Sequence, residues 1–199
     1  LINLYHQGEF LQILETEKQF ASLYQDSIEV FNIFGSANLA LQNCKRAITN
    51  FNKAIKLNPN IPTIYYNLGL AYHHIGNMDD AIVNYKKAID IKPDYDEALN
   101  NMGMSLEEKG DMVGAIDNYN KVLAINPKHA GAYYNLGNVF RSKDNLILAI
   151  ENYNRAISIK PDYAEAYYNM GTTFKNQDKL DEAIKVFKRA LSIKPDYVE

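Results

Sequence analysis

Apolar and small residues recur along this chain with the period of an amphipathic helix, and the helical pattern itself repeats. Tyr65, Leu68, Gly69 and Tyr72 fall on one face of a helix, and Ala81, Ile82, Tyr85, Ala88 and Ile89 on one face of the next. Gly76 and Asn77 mark a turn between the two, and Pro93 cannot continue the second helix. The pattern then starts again. Pro59, Pro93, Pro127, Pro161 and Pro195 are spaced by 34 residues, and the text around them recurs as KLNPN, DIKPDY, AINPKH, SIKPDY and SIKPDY. A second echo, IYYNLG, ALNNMG, AYYNLG and AYYNMG, follows the same ladder. The predicted fold is all-α, built from antiparallel helix pairs. One such pair cannot bury its apolar face alone, so neighbouring pairs must stack into a solenoid.

Counting each proline as position 32 aligns the rest. Position 8 is Gly35, Gly69, Gly103, Gly137 and Gly171; position 20 is Ala47, Ala81, Ala115, Ala149 and Ala183. Position 24 is Phe51, Tyr85, Tyr119, Tyr153 and Phe187, and position 27 is Ala54, Ala88, Val122, Ala156 and Ala190. Small residues at 8, 20 and 27 allow paired helices to approach, and aromatics at 4, 11 and 24 fill the space between them. A 34-residue period with these positions resembles the tetratricopeptide repeat (TPR) family. Position 4 departs from its usual tryptophan, with Phe31, Tyr65, Leu99, Tyr133 and Tyr167. The resemblance implies a right-handed α-solenoid, the TPR superhelix, with repeats at 28–61, 62–95, 96–129, 130–163 and 164–197. Residues 1–27 fit the tail of an earlier, degenerate repeat, with Gly8 at the turn, Phe10, Ile13 and Phe20 on the apolar stripe, and Gln25 at the proline site. Val198 and Glu199 fit the start of a further repeat. The chain therefore reads as a segment of a longer array whose last helix exposes apolar surface, a candidate stacking site for a second copy.

Charge narrows the partners. A net charge of −3 and a pI of about 5.8 argue against a strongly basic nucleic-acid surface. No apolar run is long enough to span a bilayer, which argues against membrane insertion. Cys44 is the only cysteine, so neither an intramolecular disulfide nor a multi-cysteine zinc site can form. A single cysteine fits a reducing compartment, and of the possible locations the cytoplasm is favoured.

Candidate function lies on the first helices, whose positions 2, 5, 6, 9, 12 and 13 line a concave groove in the family. Position 6 is Asn67, Asn101, Asn135 and Asn169, with Ile33 in the first repeat. A carboxamide offers two donors and an acceptor, so a column of them can pair with the backbone of an extended peptide whatever its sequence. This column resembles the asparagine ladder of O-GlcNAc-transferase-type TPR superhelices. The same asparagines also suit a purely structural role in the repeat. Tyr66, Tyr134 and Tyr168 at position 5 combine apolar area with a polar tip. They suit an interface, or a position packed over neighbouring side chains. Asn138, Arg141 and Lys175 complete the candidate groove, and Glu29, Glu97 and Glu165 add carboxylates at position 2.

Other chemistry finds little support. The lysine and arginine positions with which chaperone-binding TPR domains clamp a C-terminal carboxylate are not occupied here: positions 2 and 5 hold no Lys, and position 6 no Arg. His73 and His74 are adjacent, about 100° apart on a helix, and so are poorly placed to share a metal. No phosphate-binding glycine loop or nucleophile elbow is present, and the acidic residues Asp79, Asp80, Asp181 and Glu182 sit where a helix begins. The expected function is a non-catalytic scaffold, without cofactor, that binds a protein or peptide. One alternative is the substrate-recruiting arm of a larger glycosyltransferase- or sulfotransferase-type enzyme. Another is a self-assembly module stacking through its end helices.

Overall fold

The computed structural model describes residues 1–24 and 26–196. Gln25, Val198 and Glu199, which the repeat pattern assigns to the degenerate and the incipient repeat, lie outside them. The described residues form thirteen helices and no strand. The chain divides into two compact units, residues 1–109 and residues 110 onward.

The first unit contains α1 (Ile2–His6), α2 (Phe10–Glu15), α3 (Glu17–Leu23), α4 (Ile28–Ala40), α5 (Cys44–Leu57), α6 (Pro62–His74), α7 (Met78–Ile91) and α8 (Asp96–Glu108). α4 packs on α5 and α6 on α7 across turns of three residues, so each pair is antiparallel. α5 then packs on α6 and α7 on α8, and the first helices α4, α6 and α8 touch in succession. The second unit contains α9 (Met112–Ile125), α10 (Ala130–Ser142), α11 (Leu146–Ile159), α12 (Ala164–Lys175) and α13 (Leu180–Ile193), in which each helix packs on the next and α10 also meets α12.

Local chemistry sets the boundaries. The second helices α7, α9 and α11 begin at Asn77, Asp111 and Asn145, whose side chains accept from the backbone N–H three residues on. The residue before each of these caps is left-handed at all six turns: Gly8, Gly76 and Gly110, but also Gln42, Asp144 and Asp178. Glycine adopts that conformation without a Cβ penalty, and the other three bear a cost. Gly69 and Gly137 serve a different purpose. A Cβ at Gly69 would lie 2.6 Å from the Tyr85 ring, and one at Gly137 2.5 Å from the Tyr153 ring. The missing side chain is the space that the aromatic at position 24 fills, and both rings are fully buried.

The N-terminal segment differs from the plain continuation of a repeat. Its helix after Gly8 breaks at Thr16 into α2 and α3, and the Thr16 hydroxyl donates to the Ile13 carbonyl at 2.8 Å. Ile13 is nevertheless fully buried, with Phe10 and Phe20 packed around it against α4. Cys44 is buried among Phe31, Ala47 and Phe51, a packing residue. At the other end, Leu180, Ile184 and Leu191 lie exposed on α13.

Candidate functional site: the first-helix asparagines and tyrosines

Positions 5 and 6 stand side by side on α6, α8, α10 and α12, and the site residues they carry are half-buried. The tyrosines do not project freely. Tyr66 lies between the Tyr85 ring of α7 and the Tyr95 ring just before α8, with centroids at 6.1 and 5.1 Å. Tyr134 repeats this with Tyr153 and Tyr163, at 6.1 and 5.0 Å. Tyr168 packs on Phe187 at 5.5 Å. Lys92 and Lys160 cap the outer rings, their ammonium groups 4.7 Å from Tyr95 and 4.8 Å from Tyr163.

Two of these tyrosines, Tyr66 and Tyr134, turn their hydroxyls to the asparagine of the following first helix. Asn101 Nδ2 donates to Tyr66 Oη at 3.1 Å in the first unit, and Asn169 Nδ2 to Tyr134 Oη at 2.9 Å in the second. In the second unit the network extends further. Asn169 Nδ2 also donates to Asn138 Oδ1 at 2.9 Å, and that same oxygen accepts from Tyr153 Oη at 2.8 Å. Asn138 thus joins a buried phenol to the surface asparagine. In the first unit the equivalent of Asn138 is Leu70, and the fully buried Tyr85 hydroxyl has no hydrogen-bond partner.

The polar floor therefore holds Asn101 and Asn169 in place. The Asn169 amide makes two hydrogen bonds within the protein, to Tyr134 Oη and Asn138 Oδ1, so its donors are engaged internally. The sequence alone suggested an amide with all three functions available. Asn67 and Asn135 occupy the matching half-buried positions on α6 and α10, as Arg141 does at the end of α10, while Lys175 is exposed at the end of α12. No ion pair joins Arg141 or Lys175 to another side chain among the described residues. Three of the surrounding phenols are shifted upward in pKa. Burial, then the Tyr66 phenol and the Glu97 and Asp96 carboxylates, pushes Tyr95 up to about 12. Burial, then Tyr134 and Glu165, does the same for Tyr163. Tyr85 is raised further, by burial first and then by Tyr66 and Glu108.

Sequence reasoning missed a second polar cluster. His73 on α6 reaches across to α8, with Nδ1 3.2 Å from the Ser105 hydroxyl and Nε2 3.1 Å from Glu108 Oε1. Ser105 is fully buried, so the imidazole ties two first helices together and is not poised over an accessible nucleophile. His74 beside it is exposed. The separations of 32 and 35 residues lie either side of the repeat length, which is the one signal that could have paired these residues in advance. Among the described residues no group of three or more His, Cys, Asp or Glu could hold a metal ion. None of the helices formed by them is long and apolar enough to cross a membrane.

Comparison with known proteins agrees with this architecture. A family model described as TPR repeat matches residues 35–76, 106–144 and 137–178, and one described as Tetratricopeptide repeat matches 62–95 and 164–197. No curated protein sequence matches the chain. Among solved structures, MamA is 33% identical over 81% of this chain and 95% of its own, with a TM-score of 0.75. MamA from Desulfovibrio magneticus RS-1, 19% identical over 86% of this chain and 97% of its own, gives a TM-score of 0.77. YrrB, described as a TPR protein with an unusual peptide-binding site, is 19% identical over 91% and 93%, with a TM-score of 0.70. A repeat period read from prolines, helix pairs closed on position-8 glycines and matching family models converge on one conclusion: the chain belongs to the tetratricopeptide repeat family, with the α-solenoid fold of that family.

Proposed function

We propose that this chain is a non-catalytic protein-interaction scaffold that holds an extended segment of a partner polypeptide along its first helices, gripping it through Asn67, Asn101, Asn135 and Asn169. The observation that carries this reading is the preorganisation of the asparagines. Tyr66 holds Asn101, and Tyr134 with Asn138 holds Asn169, so these two of the four carboxamides are oriented before any ligand arrives. A preorganised polar group loses little freedom on binding, and the surplus appears as affinity. A backbone N–H from the partner would pair with Asn169 Oδ1, the amide's acceptor, while its Nδ2 stays engaged by Tyr134 and Asn138. YrrB, a protein of similar fold, is described as having a peptide-binding site, which supports the same use of the fold here. In the first unit α6 and α8 would present Asn67 and Asn101, and in the second α10 and α12 would present Asn135 and Asn169.

A photoreactive amino acid placed at Thr172, half-buried on α12 beside the asparagine column, tests this. The same label at the exposed Asn154 on α11 is the control. Cross-linked partner segments at 172 and none in common at 154 are expected. Equal labelling from both positions contradicts a first-helix site.

A further inference from the structure

We propose that the outer face of the α12–α13 pair binds an acidic segment of a partner polypeptide, at a surface distinct from the asparagine column. The face holds an open pocket of about 550 Å³ lined by Tyr167 on α12 and by Lys185, Val186, Lys188, Arg189 and Ser192 on α13. Three of the six lining residues are cations, none is a carboxylate, and Tyr167 and Val186 give the floor an apolar part. Lys185, Lys188 and Arg189 are exposed, and Lys188 and Arg189 stand three and four residues after Lys185, on one side of α13.

The other helix pairs show what is unusual here. In α9 the carboxylate of Asp117 pairs with Lys121 at 2.7 Å, four residues later. Glu151 and Arg155 of α11 keep the same order, an acid four residues ahead of a base. In α13 Lys185 stands where α9 and α11 place the acid, while α5 and α7 hold the uncharged Thr49 and Val83 there, so Lys185 and Arg189 are like charges four residues apart, an arrangement that is unfavourable by itself. Among the described residues none of the three cations is ion-paired. The aromatic contact changes as well. Lys53 lies 5.1 Å from the Phe31 ring and Lys87 5.5 Å from the Tyr65 ring. The residues at the matching places, Arg189 and Tyr167, instead both line the open pocket. Arg189 Nη1 turns to the Ser192 hydroxyl at 3.5 Å, while that hydroxyl donates to the Arg189 carbonyl at 2.7 Å. The pocket thus offers an arginine fork and two ammonium groups around an aromatic floor. That set complements carboxylates flanking an apolar side chain. With a net charge of −3, the whole chain repels a polyanion beyond this patch, which favours a short acidic peptide segment over a nucleic acid.

The test is fluorescence anisotropy at low salt on the full chain, with a dye-labelled peptide of glutamates around one phenylalanine. The variant K185Q/K188Q/R189Q removes the patch. The variant K53Q/K86Q/K87Q removes the same charge from α5 and α7. Circular dichroism confirms that both remain helical. Binding by the parent, weakened about tenfold or more by the first variant and less than about twofold by the second, is expected from the loss of three exposed charge contacts. Lys185→Glu alone, which restores the acid-before-base order of α9 and α11, also weakens binding and serves if the triple variant is unstable. No binding by the parent, or equal losses in both triple variants, overturns the proposal. Tighter binding of a labelled single-stranded oligonucleotide than of the peptide, lost in the first variant, assigns the patch to nucleic acid and overturns it too.

Discussion

Tyr85 and Tyr153 occupy the same place in their helix pairs and are equally buried, yet removing their hydroxyls should have opposite effects. Tyr153 Oη donates to Asn138 Oδ1, whereas Tyr85 Oη, whose helix pair has Leu70 at the place of Asn138, has no partner. A buried hydroxyl without a hydrogen bond costs about 1–3 kcal/mol, and a satisfied one contributes about 1 kcal/mol net. Tyr85→Phe removes a penalty and should stabilise by about 1 kcal/mol. Tyr153→Phe removes a bond and should destabilise by about 1 kcal/mol. For a chain of this length each kcal/mol moves the midpoint by about 2–4 °C, so the two variants should melt about 4–8 °C apart. Circular dichroism against temperature and urea reads this directly. A third variant closes the cycle. Leu70→Asn, which copies Asn138, should stabilise the parent by supplying Tyr85 with an acceptor and should lose that benefit in a Tyr85→Phe background. If the two phenylalanine variants shift in the same direction by the same amount, the polar network of the second unit is not what distinguishes these tyrosines.

Further outcomes follow from packing, backbone and charge. Gly69→Ala places a methyl against the Tyr85 ring at 2.6 Å, in a core with no room to yield; a loss of about 1–3 kcal/mol in urea denaturation is expected, and a neutral result would contradict the close helix approach. Gln42→Gly relieves a left-handed glutamine at φ 59° and should stabilise by up to about 1 kcal/mol, with less gained at Asp144, since aspartate tolerates that region; destabilisation at 42 would refute the turn geometry. Tyr95 and Tyr163 are raised to about 12 in the folded chain against about 10 when unfolded, so the unfolded state loses its protons first. Their contribution is therefore complete below about pH 10 and disappears between about pH 10 and 12. Tyrosinate absorbance that rises together with loss of helicity over that window is expected, and tyrosines that titrate fully near pH 10 in a folded chain would contradict their burial.

The period and the fold were legible because the solenoid reuses one solution. Proline after each second helix, glycine opposite each position-24 ring and asparagine or aspartate at most second-helix caps are each imposed by backbone or packing, so they repeat and can be read. The rest of the site depends on exceptions to the repeat. Asn138 is the only asparagine at position 9 among the five full repeats, and nothing in its local sequence shows that it would gather Tyr153 and Asn169. The His73–Ser105–Glu108 contact likewise arises once, from three residues that match no recurring pattern. The asparagine column was legible as a column. That Asn101 and Asn169 donate to the tyrosines of the preceding first helix could not be read from residue types, because tyrosine and asparagine hydrogen-bond equally well to solvent, ligand or each other. Lys185 was legible only as one more lysine. Its meaning comes from the acids at its place in α9 and α11 and from the open pocket beside it.

The central claim is that the position-6 asparagines grip a partner backbone. It is tested most directly by a lysate pull-down that compares the parent chain with a quadruple variant carrying alanine at 67, 101, 135 and 169, after equal helicity is confirmed. Proteins retained by the parent and lost by the variant are the predicted result. Capture of the same proteins by both would contradict the account, leaving the asparagines as part of the repeat's internal hydrogen bonding and placing any partner on another face.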